Sequence, residues 1–276
     1  MGTVYLLGLP IGNKDDITLR ALEIIKEKNQ FLVEDTRKFK QLLSALDIPS
    51  KGMKIQSYHD HTSWQSQERI IEDLVKGEDF VLASDAGSPI ISDPAYPLIS
   101  EALKNGVAVE SIPGVTSVVT ALELSGLPPH PFTFYGFFPR EENKKRELLQ
   151  LCSRVSGTHI FFDSPNRVEK TLSLLAEEFT EVSVSICREI TKLYQSVYRF
   201  EMADWEENKD QIIYKGEFVV LIHFKKEYSL TSSKEDLNKL SLEFLENPHR
   251  NKKILSKILA ELTNKRSKEI YKLLHN

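Results

Sequence analysis

The sequence predicts an α/β protein of two domains with a helical C-terminal segment, and three observations carry that prediction. Short apolar runs alternate with segments of helical period along most of the chain. The length of 276 residues exceeds the roughly 100–200 residues usual for one domain. The strand pattern also stops after Lys226. Strand-like runs lie near residues 3–8, 30–34, 79–84, 107–112, 132–138, 158–163, 182–187 and 217–224. Helical segments fill most of the intervals, an alternation that implies α/β units with largely parallel pairing. Asp93-Pro94 supplies a cap residue and an N1 proline to a helix over 94–105, and Gly106 follows it. Gly126 closes a helix that starts near Thr116. The segment Gly126-Leu127-Pro128-Pro129-His130-Pro131 is the stiffest in the chain and reads as part of an inter-domain connection. The division falls just before it, giving domains over 1–114 and 115–228 and a basic helical tail over 229–276. In the tail, Ser229–Lys234 reads as a linker into a helix over 234–246, and helices over about 250–262 and 267–275 complete a unit of helix-turn-helix type.

Composition narrows the class. The chain is 41% apolar and 28% charged, ordinary for a globular protein, and no apolar run approaches the roughly 20 residues that span a bilayer. Met1-Gly2-Thr3-Val4-Tyr5-Leu6-Leu7 enters a strand without a basic leader, which argues against a signal peptide. Cys152 and Cys187 form neither a disulfide framework nor a zinc pattern and suit a reducing, cytoplasmic setting. The net charge of −4 is unevenly placed. Residues 250–276 hold eight Lys/Arg against two Glu, a balance of +6, which leaves −10 on residues 1–249. A basic end on an acidic body suits contact with nucleic acid, and equally a solvated helix face.

Three segments carry chemistry. Leu7-Gly8-Leu9-Pro10-Ile11-Gly12-Asn13 follows the first strand and precedes a helix that includes Thr18–Lys26, so its glycines would let a polar ligand approach the backbone. Glu34 stands 22 residues past Gly12, as the ribose-binding acid of a dinucleotide site would, but G-x-x-x-G replaces G-x-G-x-x-G. A Rossmann dehydrogenase and a plain turn both remain readings of that segment. Phe80 to Pro94 is a buried strand that empties into Ser84-Asp85-Ala86-Gly87-Ser88-Pro89, the end at which open α/β sheets bind ligands. Asp85 is there either an acceptor for ligand hydroxyls or a turn residue. Ser111-Ile112-Pro113-Gly114-Val115-Thr116-Ser117 repeats the pattern, and its two hydroxyls serve either a ligand or the helix as caps.

These segments occur in order with Glu34-Asp35-Thr36-Arg37, Ser125-Gly126-Leu127-Pro128, Gly136-Phe137-Phe138-Pro139-Arg140, Phe161-Phe162-Asp163-Ser164-Pro165-Asn166-Arg167, Arg188-Glu189-Ile190-Thr191-Lys192 and Lys215-Gly216-Glu217-Phe218-Val219. Together, from about residue 3 to 224, they resemble the tetrapyrrole-methylase-like (class III) S-adenosylmethionine methyltransferases, and within them the branch that methylates ribosomal RNA of the small subunit. The resemblance implies two unequal α/β domains with a cofactor cleft between them and a homodimer. It also implies transfer from S-adenosyl-L-methionine to the ribose 2′-oxygen of a cytidine in the 16S rRNA decoding centre. Carried over by position, the cofactor contacts are Leu9, Pro10, Asp85, Ser88, Pro89, Thr116, Ser117, Phe162 and Gly216. The family's aromatic-Glu-Ser-Pro-His-Arg reads Phe-Asp-Ser-Pro-Asn-Arg here and its Thr-Lys-Leu-His-Glu reads Thr191-Lys192-Leu193-Tyr194-Gln195, so residues 166, 194 and 195 receive no catalytic role.

Methyl transfer from a sulfonium depends on in-line positioning, and a ribose hydroxyl needs a nearby base or cation. Glu34, Asp35, Glu189 and Lys192 are the candidates, with Arg37, Arg140, Arg167 and Arg188 for phosphates. Read singly, each such charge is as well explained by a surface ion pair. His59 and His61 share one side of an extended segment but lack further ligands, so no metal is expected. Among the aromatics, Phe137 and Phe138 are open to base stacking, while Phe132 and Phe134 alternate as core residues would. Two other classes stay open: a class III methylase acting on a tetrapyrrole or, like diphthine synthase, on a protein, and a non-catalytic RNA-binding module.

Overall fold

The structure is a computed structural model that describes residues 1–59, 62–90, 95–225, 252–263 and 266–274. The first half is a parallel sheet in the order β3-β2-β4-β1-β5, formed by β1 (Thr3–Leu7), β2 (Gln30–Val33), β3 (Lys54–Ser57), β4 (Phe80–Ala83) and β5 (Ala108–Ile112). Strand alternation divides its side chains between two cores. Val4, Leu32, Phe80 and Leu82 pack under α3 (Trp64–Lys76) and α4 (Tyr96–Lys104). Leu7, Phe31, Val33, Val81 and Ala83 pack under α1 (Leu19–Glu27) and α2 (Thr36–Ala45) on the opposite face. The chain therefore leaves neighbouring strands β1 and β4 toward opposite faces, and a crevice opens between their C-terminal ends. Three of these helices start on side-chain caps: Thr18 accepts from Ala21 N, Asp35 from Arg37 N and Ser63 from Ser66 N.

The second half is a mixed sheet in the order β6-β7-β10-β8-β9, from β6 (Phe132–Phe137), β7 (Thr158–Asp163), β8 (Val182–Arg188), β9 (Ser196–Glu201) and β10 (Phe218–Phe224). One face carries α6 (Glu142–Cys152), α7 (Val168–Glu178) and the short α8 (Trp205–Asn208), packed on Phe161, Val184, Ile186 and Val220. The other face holds Ile160, Cys187, Val219 and Leu221 against α5 (Ser117–Ser125) and against Ile11 from the first half.

Several expectations change here. Largely parallel pairing holds for the first sheet, but in the second only β6 and β7 run parallel, and β10 lies antiparallel between β7 and β8. Apolar runs such as Phe218-Val219-Val220-Leu221-Ile222 are covered on both faces and read the same in either direction, so sequence pattern could not orient them. Edge strands β3 and β9 escape the strand pattern: β3 has one partly covered residue among exposed ones, and β9 has no fully buried residue. The helix expected over 94–105 runs over Tyr96–Lys104, without a side-chain cap at Ala95. The expected Asp93-Pro94 cap, the 229–234 linker and the 234–246 helix lie outside the described residues. In the tail, α9 (Lys252–Thr263) and α10 (Ser267–Leu273) pack on one another, with a 3.2 Å contact between the Ser256 and Ser267 hydroxyls, and Ile254 and Ile270 are buried. No helix among the described residues is long and apolar enough to cross a membrane.

Candidate functional site

The C-terminal ends of β1, β4 and β5 face the ends of β7 and β8 and the start of β10 across a cavity of about 360 Å³. The first half contributes Ile11, Gly87 and Ser88 to its wall; the second contributes Thr116 and Ser117 at the start of α5, with Phe137, Phe162, Asp163, Ile190 and Gly216.

On the first side the loops are laced to one another. Gly8 N donates to Ile112 O at 2.9 Å, and a Cβ on Gly8 would lie 2.7 Å from Gly114 N. This corrects the reading of Gly8 as an opening for a ligand: the space its side chain would fill is taken by the loop at Gly114. Gly12 is likewise filled, since a Cβ there would lie 2.5 Å from Lys192 Cγ. Leu9 and Gly87 exchange backbone hydrogen bonds of 2.9 and 3.0 Å, which fixes the loop after β4 against the loop after β1. Helix α5 begins without a side-chain hydrogen bond from Thr116, so that hydroxyl is left to the cavity rather than spent on the helix end.

On the second side, Phe162 meets Phe137 edge to face at 5.4 Å, and both line the cavity. Asp163 closes β7 with a fully buried side chain. Its carboxylate accepts from Arg167 at 3.0 Å, from Ser164 N at 2.8 Å and from the Thr171 hydroxyl at 2.7 Å. Lys145 donates to the same hydroxyl at 2.7 Å, and burial pushes its ammonium below the usual lysine range. After β8, Lys192 bridges Glu189 and Glu217 at 2.9 Å each. Desolvation works against the Lys192 charge, but those two carboxylates outweigh it and hold the ammonium above its ordinary pKa. Desolvation likewise opposes the Glu189 carboxylate, whose hydrogen bonds from Lys192 and the Glu217 backbone leave it below the ordinary range.

The sequence-selected residues fall into distinct places. Ser88, Thr116, Ser117, Phe162 and Gly216 line the cavity. Leu9 and Pro10 are buried and outside its lining, and Pro89 lines a small separate hollow with Glu34, Tyr58 and Ser84. Asp85 joins a charged cluster: it pairs with Lys38 at 2.6 Å, accepts from Asp35 N at 3.0 Å and donates its own N–H to Glu34 at 3.4 Å. Lys38 is raised above its ordinary pKa by that bond to Asp85. Asp35 pairs with Arg37 at 3.0 Å, which brings its carboxyl down to about 2. Glu34 and Asp35 thus stand at the ends of the first sheet, whereas Glu189 and Lys192 stand beside the second. Arg37 and Arg140 are exposed. Arg167 is tied to Asp163 and Ser164, and the buried Arg188 donates to the Lys215 and Tyr194 carbonyls. His61 lies outside the described residues, and no cluster of three or more metal-ligating side chains occurs among the described ones. Phe138 is core and Phe132 is 42% exposed at the sheet edge, the reverse of the expectation for each. Phe137, open to base stacking by its sequence, lines the cavity; Ile11, Ile190 and Val219 in the same wall were not selected, because an apolar side chain at a strand end reads as ordinary core.

Two open sheets meeting end to end across a cavity define a methylase-type α/β fold, and the chain belongs to the tetrapyrrole (corrin/porphyrin) methylase family, whose model matches residues 3–205. It is 42% identical over 221 residues to ribosomal RNA small subunit methyltransferase I of Halalkalibacterium halodurans, covering 80% of this chain and 75% of that one. With the protein of the same name from Rickettsia prowazekii the identity is 35% over 268 residues, 97% and 92% of the two chains. Among solved structures, uroporphyrin-III C-methyltransferase from Thermus thermophilus, complexed with S-adenyl homocysteine, superposes with a TM-score of 0.55 at 19% identity, covering 80% of this chain and 97% of that one.

Proposed function

We propose that this chain transfers a methyl group from S-adenosyl-L-methionine to the ribose 2′-hydroxyl of a cytidine in the decoding centre of 16S rRNA within the small ribosomal subunit, working as a cytoplasmic homodimer. The observation that carries the reading is the cavity shared by the two sheets, in a chain whose relatives bear the name of a small-subunit rRNA methyltransferase. The cavity suits the cofactor: about 360 Å³ falls within the roughly 300–1,000 Å³ of small-molecule sites. Its walls combine apolar Ile11, Phe162 and Val219 with the hydroxyls of Ser88, Thr116 and Ser117. When bound, S-adenosyl-L-methionine supplies an electrophilic methyl group.

The protein's share is placement. Ser88, Thr116 and Ser117 would hold polar groups of the cofactor, and Phe162 and Phe137 would flank a flat one. The pair of buried Asp163 with half-buried Arg167 fixes the turn that follows β7. Lys192, kept cationic by its two carboxylates, contributes charge at the cavity edge and not a base. Glu34, Asp35 and Glu189 remain the candidates for a base, and exposed Arg37 and Arg140 those for phosphate contact. Residues 1–114 and 115–228 form the two halves of this arrangement, with the basic tail from 229 attached to the second. The test is a 2′-O-methyl map of 16S rRNA from cells with and without the gene, alongside transfer of labelled methyl to purified small subunits. Loss of one cytidine 2′-O-methyl group is expected; an unchanged map overturns the reading. Transfer to a tetrapyrrole or to a protein instead would assign the chain to the other class III activities.

A further inference from the structure

We propose that Tyr194, with Leu193 beside it, is a platform on which the RNA substrate lays an unpaired base next to the nucleotide being modified. The inference rests on the RNA-methylating reading and adds the contact that holds the substrate at the cavity mouth. Leu193 is 88% and Tyr194 72% exposed, an unusual display of two large apolar side chains in succession. They stand on the loop between β8 and β9, whose Ile190 lines the cavity and whose Lys192 grips cavity-lining Glu217.

The loop is held from every side. Glu189 N donates to Glu217 O, Lys192 N to Glu189 O and Gln195 N to Lys192 O, each at 3.0 Å, and Thr191 N donates to Gln195 Oε1 at 2.6 Å. From beneath, buried Arg188 donates to Tyr194 O at 2.8 Å. From the first half, Asn13 N donates to Thr191 Oγ1 at 3.1 Å. Glu189 and Thr191 take φ of 51° and 64°, the left-handed region that side-chain-bearing residues disfavour. A backbone kept in that state and tied at so many points, yet presenting its apolar tip to water, is arranged for display. Charge does not explain the tip: Glu189 and Glu217 are balanced by Lys192 and the buried Arg188, which leaves no positive excess for a phosphate clamp. An aromatic face needs no charge to hold a base, and RNA readers place unstacked bases on such rings.

The experiment measures methyl transfer from labelled S-adenosyl-L-methionine to small subunits lacking the modification, with Tyr194→Ala, Tyr194→Phe and Tyr194→Leu. Loss of one stacked base raises KM for the subunit by about tenfold in Tyr194→Ala, with KM for the cofactor unchanged. Tyr194→Phe restores the wild-type value and Tyr194→Leu does not. An unchanged KM in Tyr194→Ala, full restoration by Tyr194→Leu, or a change of oligomeric state in Tyr194→Ala by light scattering overturns the platform while the methyltransferase reading stands. If the wild type transfers nothing, direct binding of the subunits decides. Binding weakened in Tyr194→Ala and kept in Tyr194→Phe upholds the platform and removes the enzymatic reading, and no binding at all removes both.

Discussion

A hydroxyl at the start of a helix has two possible employments, and Thr116 shows how the structure separates them. Thr18 and Ser63 each accept a hydrogen bond from their own helix. Thr116 occupies the equivalent position without such a bond and lines the cavity. Replacing a capping threonine with alanine typically costs about 1 kcal/mol. At Thr116 the loss of stability should stay within about 0.5 kcal/mol, while S-adenosylhomocysteine binding weakens by roughly fivefold for one hydrogen bond lost. Thermal denaturation and titration calorimetry of Thr116→Ala read both; a lowered melting temperature with unchanged affinity would return the residue to a capping role. At this scale the sequence reveals hydroxyls and small residues at strand ends, such as Ser88, Thr116 and Gly216. It conceals Ile11 and Ile190, whose position in a ligand wall depends on where a second sheet comes to rest.

Within β7, His159 is fully buried beneath aromatic neighbours. Nε2 lies 2.9 Å from Val155 O and must donate to it, so Nδ1 accepts from the Tyr135 hydroxyl at 3.1 Å. Burial lowers the imidazole pKa below its ordinary 6.5. The unfolded chain therefore takes up the proton first, and stability that is complete above pH 6.5 is lost as pH falls through the lowered folded-state value. Replacement by a group that does not titrate should flatten this: His159→Gln starts less stable at pH 7.5, and the gap to wild type narrows by pH 5 in paired melting curves. A constant gap would show that the ring takes up its proton equally in both states, so that burial does not lower its pKa. The same strand shows where element-level reading ends. Its apolar run announces a strand, but nothing local says that β6 runs parallel to it and β10 antiparallel. Edge strands β3 and β9 owe their place to a paired neighbour, Lys54 to Gln30 and Arg199 to Ser185, more than to their own composition.

For the whole molecule, charge and architecture are separable. The described residues that line the cavity all fall within 11–219, while the basic excess lies over residues 250–276. A chain ending at residue 228 should keep its affinity for S-adenosylhomocysteine and bind small subunits more weakly. Its dependence on salt should be shallower too, because fewer phosphates are neutralised. Equal subunit affinity across a salt series would make the tail a bystander. The shared cavity has a further consequence for how the protein comes apart. Because each sheet supplies only part of the lining, a molecule seated there acts as a rivet, and every unit of its binding energy opposes the melting of both halves together. Differential scanning calorimetry should therefore show transitions of the two halves drawing together as ligand is added, and moving as one once it saturates.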